Sequence, residues 1–365
     1  MPTKRWLSLL TMPGRSARVR SVRRRLARRA KVALLLLGVY GLIRRLRPNP
    51  NPAILRFHSV TGKEGRLYAS PGITVPPHVF ERQIRYLSRR YKIADMDQLH
   101  EGLASQRPLP PNTVVLTFDD GYEDNFAAAL TLQRYGCTAT FYVAADCLHG
   151  QPQLWMSDLR RRVIGTDQKR LRLAWNGRVF DYALEGAAAR DDCVAALTSW
   201  VKTLNVARRD EFLRALAEAL PITNADQTGD PVMLSWDQLR IMNEAGMLVG
   251  GHTLTHCNLA RATEDELHRE MTGCYDAITR QLGTPPRHFA YPNGGASIYY
   301  DERAKAGVRA AGFGTAATSC FGFVKPESDL LELPRIAVPA SLAELVHSLE
   351  WGKLERIRRG EADRV

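Results

Sequence analysis

Short apolar runs alternate with segments of helical periodicity along most of the chain, from residue 53 onward. The runs that we predict to be strands cover residues 53–57, 112–118, 138–144, 247–251, 288–291, 313–317 and 333–338. Helical patterns lie between them, at residues 79–91, 125–135, 236–245 and 264–282. Strands that alternate with helices pair in parallel through right-handed crossovers, so the pattern predicts an α/β sheet or barrel.

Residues 155–230 interrupt this alternation. They are predicted to be mostly helical, with helices at 191–205 and 208–220, and a polar stretch with Gly and Pro at 223–231 follows. We interpret this segment as a helical insertion. The prolines of residues 48–52 predict an extended linker, because each proline fixes its own φ and disfavours helix in the residue before it. The predicted organisation is an N-terminal arm (1–48), a linker (49–52), one domain with its insertion (53–340) and a helical tail (341–365).

The net charge of +13 is concentrated in the arm. Residues 1–48 hold fourteen Lys or Arg and no Asp or Glu, whereas the remaining 317 residues hold 37 basic and 38 acidic side chains. A nearly neutral domain gives no electrostatic footprint for nucleic acid, so no nucleic-acid partner is expected. The arm is expected to determine location rather than chemistry.

A twelve-residue apolar run, Val32 to Ile43, lies between arginines in the arm. It is too short to cross a bilayer, which needs about 20 apolar residues. A signal peptide is disfavoured, because Arg-Arg-Leu-Arg-Pro-Asn-Pro follows the run instead of a small-residue cleavage site. An interfacial anchor on an anionic membrane surface suits the composition best, and an ordinary packed helix is the alternative. We therefore expect a membrane-associated or cell-envelope protein of a bacterium, with the side of the membrane undecided.

The six cysteines form no Cys-x-x-Cys pair and have no regular spacing. This excludes a zinc finger. In a chain of 365 residues the cysteines need not form disulfides, so their number does not identify the redox compartment.

Two adjacent carboxylates, Asp119 and Asp120, follow the predicted strand 112–118. Neighbouring side chains of a strand point apart, so both reach one pocket only where the strand gives way to a turn, which Gly121 permits. Active sites of parallel α/β folds lie at this carboxyl end of the strands. The alternative is a helix N-cap, a common role for a single Asp.

Two histidines, His252 and His256, follow another predicted strand and a pair of glycines. We expect one turn of helix to place both imidazoles on one face, within reach of a single metal ion. Two imidazoles and one carboxylate leave open positions for water and substrate, and such a set suits zinc, iron, cobalt or nickel.

Thr117-Phe-Asp-Asp-Gly121 and His252-Thr-Leu-Thr-His256 resemble the first two motifs of the polysaccharide deacetylase family, the NodB-homology carbohydrate esterases. The resemblance extends from residue 53 to residue 338, with 155–230 as an insertion. It implies a distorted parallel (β/α) barrel of about seven strands. Members of the family remove N- or O-acetyl groups from polysaccharides.

Carried over residue by residue, the resemblance implies Asp120, His252 and His256 as metal ligands and Asp119 as the general base. The metal, most simply Zn²⁺, would lower the pKa of a bound water from about 15.7 to about 7 and so supply the nucleophile. An adjacent carboxylate outside the coordination sphere can accept the remaining proton.

The third motif departs from the family's Arg-Pro-Pro-Tyr-Gly pattern, because this chain has Phe289-Ala-Tyr-Pro-Asn-Gly294. We assign it to the subclass with a Phe-Ala-Tyr-Pro-x-Gly motif. The family's arginine orients the catalytic carboxylate, and Ala290 stands in its place. Arg335 is the candidate replacement by position, with Arg287 as its competitor. The backbone N–H of Asn293 is the matching oxyanion donor.

The Leu-x-His motif that supplies the family's general acid is not evident. His58, at the end of the first predicted strand, is the candidate proton donor, because a barrel would direct it toward the same pocket. His347 resembles a surface residue of the helical tail.

The sequence thus predicts a metal-dependent hydrolase that removes N-acetyl groups from an amino-sugar polysaccharide or oligosaccharide. An O-acetyl esterase and an inactive carbohydrate-binding relative remain as alternatives. Against the inactive relative stands the full set of two carboxylates and two histidines, since a binding module does not need a base beside a metal.

Overall fold

A computed structural model describes residues 14–148, 153–222 and 232–352. The predicted polar stretch at 223–231 and the outer parts of the arm and tail, 1–13 and 353–365, lie outside the described residues. The α-helices are Gly14–Leu36 (α1), Val39–Leu46 (α2), Pro77–Arg90 (α3), Met96–Ala104 (α4), Asn125–Arg134 (α5), Trp155–Gly165 (α6), Ala187–Val201 (α7), Val206–Ala219 (α8), Trp236–Glu244 (α9), Glu264–Leu282 (α10), Glu302–Ala311 (α11) and Leu342–Glu350 (α12). The strands are Ala53–Phe57 (β1), Lys92–Ala94 (β2), Thr113–Phe118 (β3), Thr140–Val143 (β4), Arg170–Trp175 (β5), Arg178–Ala183 (β6), Leu248–Gly251 (β7), His288–Ala290 (β8), Thr315–Ala317 (β9) and Arg335–Ala337 (β10).

The chain divides into two compact units, one of residues 1–47 with 341–365 and one of residues 48–340. In the smaller unit, α1, α2 and α12 pack together around Tyr40, which is fully buried. The Tyr40 hydroxyl lies 2.9 Å from His347 Nδ1, so His347 is a hydrogen-bonded, half-buried residue and its assignment to the surface was wrong. None of the helices among the described residues has the length and apolar character needed to span a membrane.

The larger unit is a nearly closed parallel barrel of seven strands, in the order β10-β1-β3-β4-β7-β8-β9. A parallel bridge between Ala317 and Leu333 links β9 to the segment that enters β10, and β2 extends the sheet beside β3. This architecture confirms the predicted α/β barrel.

The predicted elements of the barrel lie within a few residues of the observed ones, and β1 and α10 have the predicted ends. Three elements, β2, α4 and α11, were missed. Strand β2 is short and, unlike the other three-residue strands, begins with an exposed lysine and buries only Ala94, so no apolar run marks it. Helix α11 is short and buries only Ala304 and Val308, so its apolar stripe is narrow.

The segment 155–230, which we interpret as an insertion, contains a β-hairpin in addition to helices. Between α6 and α7, strands β5 and β6 form an antiparallel hairpin whose turn is Asn176-Gly177, with φ of 49° and 73°. Asn-Gly is the preferred sequence of this tight turn because both positions need positive φ, so the sequence contained the signal that we missed. The hairpin and its helices have their own apolar core, which includes Leu159, Phe180 and Phe212.

Side chains alternate between the two faces of the barrel strands. Phe57, Phe118 and Phe141 stack in a row with ring centroids 5.0 and 4.7 Å apart, and Phe80 of α3 covers them. The intervening residues, among them Thr117, face the other way, toward the barrel interior. This alternation brings polar side chains from several strands together at the carboxyl ends.

Candidate active site and metal centre

The turn after β3 positions the two adjacent carboxylates. Asp120 and Gly121 have φ of 79° and 85°, so the chain reverses immediately after Asp119. A Cβ added at Gly121 would lie 3.1 Å from Val143, and the positive φ also favours glycine there. Helix α5 begins later and has Asp124 as its N-cap, so the alternative that Asp119 or Asp120 caps this helix is wrong.

Asp120, His252 and His256 form one buried cluster. The Nε2 atoms of His252 and His256 lie 3.4 and 3.2 Å from Asp120 Oδ1. One ligand atom from each residue lies within 4.8 Å of the others. The expected turn of helix is wrong, because residues 252–256 form an irregular loop in which Thr253 and His256 have φ of 66° and 55°. The loop itself brings the two imidazoles together.

The unpaired atoms of this cluster fit a divalent cation. Both carboxylate oxygens of Asp120 are buried and accept no hydrogen bond within the described residues. His252 Nδ1 lies 2.7 Å from the Ala290 carbonyl, so Nδ1 carries the proton and Nε2 is left with a free lone pair facing Asp120. Burial lowers the pKa of His256, which keeps this imidazole in the neutral form that binds metals.

The pKa of Asp120 reflects the same geometry. Burial alone would raise it, but protons on the facing nitrogens of His252 and His256, whenever these imidazoles are charged, hold it well below its usual value. Asp120 is therefore a carboxylate, the form in which it can coordinate a cation.

Three residues that the sequence did not indicate hold the histidine loop. Glu270 is fully buried and accepts hydrogen bonds from the Thr255 backbone N–H at 2.9 Å and from Thr255 Oγ1 at 2.6 Å. Arg209 of the insertion donates to the Thr255 carbonyl, and Trp155 donates from Nε1 to the His256 carbonyl at 2.9 Å. These contacts join distant parts of the chain, so no local pattern reveals them.

Asp119 forms a buried, bidentate ion pair with Arg335 of β10. The two guanidinium nitrogens lie 2.6 and 2.7 Å from the two carboxylate oxygens, and Nε donates to the Thr318 carbonyl. Burial would raise the pKa of Asp119, but Arg335 holds it at about 2. The competing candidate, Arg287, instead pairs with Asp97.

His58 and Asn293 line the same cavity as the carboxylates. His58 Nε2 lies 3.9 Å from Asp119 Oδ2, and burial lowers the pKa of His58 to about 4. Asn293 occupies a turn with φ of 71°. The cavity has a volume of about 700 Å³, and part of its wall comes from the insertion through Arg160 and Lys202. It has the size of the clefts that bind small molecules.

Comparison with known proteins agrees with the site. The family model described as polysaccharide deacetylase matches residues 106–161 and 196–316, which contain both motifs and bracket part of the insertion. No curated protein matches the sequence.

Three solved structures show the same fold. A Streptococcus pyogenes deacetylase, PplD, in complex with acetate is 19% identical, with 82% of this chain and 98% of that chain covered and a TM-score of 0.54. IcaB from Ammonifex degensii is 17% identical, with 82% and 97% covered and a TM-score of 0.53. The putative polysaccharide deacetylase BA0330 from Bacillus anthracis is 16% identical, with 82% and 68% covered and a TM-score of 0.53. With its barrel, its two motifs and the family match, this chain belongs to the polysaccharide deacetylase family, whose members are hydrolases.

Proposed function

We propose that the protein hydrolyses the N-acetyl groups of an amino-sugar polysaccharide, with a divalent cation bound by Asp120, His252 and His256. The unpaired oxygens of Asp120, buried and facing two imidazoles at the base of a cavity, carry this proposal. An unsatisfied buried carboxylate is costly, and a cation offsets that cost. Zinc suits this donor set, as do iron, cobalt and nickel.

When bound, the cation supplies a Lewis acid that polarises the acetyl carbonyl and acidifies a water molecule. Asp119 then accepts the proton of the attacking water. Its carboxylate remains ionised at neutral pH because its pKa is about 2, and the bidentate contact with Arg335 fixes its orientation. Arg335 acts through Asp119 and is a positioning residue.

His58 is the proposed donor of the proton that the leaving amine needs. In the substrate-free site burial keeps its pKa at about 4, so the imidazole is neutral at pH 7. Negative charge that develops on the reacting acetyl group favours the imidazolium and so raises this pKa as the reaction proceeds. The proton that Asp119 accepted from water is then the one that His58, 3.9 Å away, takes up and donates to the amine. The backbone N–H of Asn293 is the proposed hydrogen-bond donor to the same oxyanion.

Acetate release by the full chain tests the reaction, the substrate class and the metal together. We expect release from N-acetylglucosamine oligomers, loss of release after treatment with a chelator, and recovery on addition of Zn²⁺. Acetylated xylan serves as the parallel substrate. Release from xylan alone would favour the O-acetyl esterase, and release from neither substrate by metal-loaded protein would favour the inactive relative.

The helices of the smaller unit support a second proposal, that they bind an anionic membrane surface. Leu36 and Leu37 are 80% and 78% exposed, and Leu42 is 57% exposed. Exposed Arg28 and Arg29 lie on α1 in the same unit. Apolar side chains beside arginines suit the boundary between headgroups and acyl chains.

Sedimentation with vesicles tests this proposal. We expect the full chain to bind vesicles that contain phosphatidylglycerol more strongly than phosphatidylcholine vesicles, and high salt to weaken the binding. Leu36→Ser with Leu37→Ser should reduce it, whereas equal sedimentation of the variant and the wild type would refute the proposed contact.

A further inference from the structure

Among the described residues that line the cavity, Asp120, His256, Arg56 and Asn293 have buried polar atoms without a hydrogen-bond partner. Those of Asp120 are acceptors and belong to the metal cluster. Arg56 Nε and the side-chain amide nitrogen of Asn293 are donors, and both are buried without a hydrogen-bond partner in the described part of the chain. The cavity therefore contains donors that have no acceptor among the described residues, in addition to the acceptors of the metal cluster that have no donor.

Arg56 lies on β1, and its side chain points toward the cavity. Its NH1 group donates to Ser319 Oγ. No carboxylate forms an ion pair with Arg56 within residues 14–148, 153–222 and 232–352. Burial lowers the pKa of Arg56 to about 10, which leaves the guanidinium charged at neutral pH.

Lys202 contributes a second cation to the cavity, from the C-terminal end of α7 in the insertion. Its Nζ lies 5.7 Å from the centroid of the Tyr299 ring. Burial lowers the pKa of Lys202, and the nearby negative charge of Asp120 partly offsets this. The described residues include no ion-pair partner within reach of Lys202.

A continuous wall connects the two cations. A Cβ added at Gly294 would lie 3.3 Å from Ser319 Cβ and 3.7 Å from Tyr299 Cδ2, so these two side chains border the turn that carries Asn293. Arg56 contacts Ser319, and Lys202 lies beside Tyr299. Ser319 and Tyr299 thus connect both cations to the turn that carries Asn293, and all five residues line the cavity.

Other guanidinium groups near the cavity are neutralised. Arg160 lies 3.1 Å from Asp191, and Arg335 pairs with Asp119. Arg56 and Lys202 differ because neither forms an ion pair among the described residues. A buried charge without a partner is costly, and a neutral sugar would not offset that cost. A cation bound at Asp120 would add to the positive charge.

We propose that Arg56, Asn293 and Lys202 form a subsite for an anionic group, a carboxylate or a phosphate, carried by the N-acetylated glycan. This inference rests on the proposed function and narrows its substrate to an acidic glycan. Arg56 Nε, Lys202 Nζ and the side-chain amide nitrogen of Asn293 are all donors, which is the complement of an anion.

Binding and acetate release by the full chain with three probes of equal length test this subsite. The probes are neutral N-acetylglucosamine oligomers, oligomers that alternate N-acetylglucosamine with glucuronate, and N-acetylglucosamine oligomers phosphorylated at O6. We expect one anionic probe to bind more tightly than the neutral one. Lys202→Met and Arg56→Gln should each reduce this preference about tenfold to a hundredfold, the effect of losing one charge-assisted hydrogen bond.

Lys169→Met and Arg172→Gln are the matched controls, because both residues are exposed on the insertion and neither lines the cavity. They should retain the wild-type preference, and Lys202→Arg should restore most of it. The loss should appear in the dissociation constant and in KM rather than in kcat.

Equal affinity of the wild type for neutral and anionic probes would overturn the subsite, as would an unchanged preference in both Lys202→Met and Arg56→Gln. Absence of acetate release from every probe, together with charge-dependent binding, would instead overturn the proposed function and leave the subsite standing. The binding measurement therefore separates the two failures.

Discussion

Two clusters of Asp and His lie at opposite ends of the same barrel. At the carboxyl ends of the strands, Asp120 faces His252 and His256, and neither of its oxygens accepts a hydrogen bond from the part of the chain that the structure describes. At the amino ends, His288 begins β8, and its Nδ1 lies 2.8 Å from Thr315 Oγ1 while its Nε2 lies 3.1 Å from Asp97.

The two clusters contain the same residue types, but they differ in how many of their polar atoms form hydrogen bonds. Both ring nitrogens of His288 have protein partners, and Asp97 is also bound by Arg287 at 2.7 Å. A satisfied cluster stabilises the fold and has little capacity left for a ligand. An unsatisfied and buried cluster is retained at a cost in stability, which is the mark of a functional site.

The largest expected effect is the loss of bound metal when a histidine of the carboxyl-end cluster, but not of the amino-end cluster, is replaced. His256→Ala should lose both the bound metal and acetate release to the detection limit, because it removes one of three ligands. His288→Ala, its matched control, should keep the metal and turnover while losing about 1–3 kcal/mol of stability from unpaired buried groups. Metal analysis of the purified variants, with thermal unfolding, measures both. If the His256→Ala protein still bound the metal, the carboxyl-end cluster would not be the metal site.

Within the carboxyl-end site, a smaller effect distinguishes the adjacent carboxylates. Asp119→Asn should retain the metal and lower kcat by about 10²–10⁴-fold, since it removes proton acceptance but not a ligand. The metal content and single-turnover rate of the variant test this. A rate near that of the wild type would remove Asp119 from the role of base.

The smallest effect is expected from Asp97→Asn at the amino-end cluster. The hydrogen bond from His288 lowers the pKa of Asp97 below the usual value of an aspartate, so its contribution to stability is present above about pH 4 and is lost as pH falls further. Asp97 is partly exposed, so solvent screening limits this contribution to below about 1 kcal/mol. Urea unfolding at pH 7 and pH 3 should show a small difference between variant and wild type at pH 7 only. A decrease in the free energy of unfolding above about 2 kcal/mol would contradict the expected screening of Asp97 by solvent.

Much of the barrel was predictable because its strands are continuous apolar runs. Strand β3 is buried along its whole length, and helix α10 begins at a Thr263 capping box and ends at Gly283 with positive φ. Strand β2 escaped prediction, because only its last residue is buried and it therefore lacks an apolar run; pairing with β3 alone makes it a strand.

The candidate site residues also include some that were predictable from the sequence and some that were not. Asp119 with Asp120 and His252 with His256 were recognisable because each pair is close in sequence and follows a strand. Glu270 and Lys202 were not, because each reaches the site from a distant helix and neither has a local pattern that differs from that of a surface residue.

By itself, the sequence determined most of the strands and helices, that the fold is α/β, and which four side chains are candidates for the chemistry, because periodicity and short motifs are local properties. Only the tertiary structure decided that Arg335 rather than Arg287 meets Asp119 and that an irregular loop brings the histidines together. It also decided that Arg56 and Lys202 line the same cavity without an ion-pair partner among the described residues. These outcomes depend on which side chains become neighbours after strands far apart in the chain pair, and on whether burial leaves a charge without a partner. Neither the neighbours of a side chain nor the pairing of a buried charge can be predicted from residues that are adjacent in sequence.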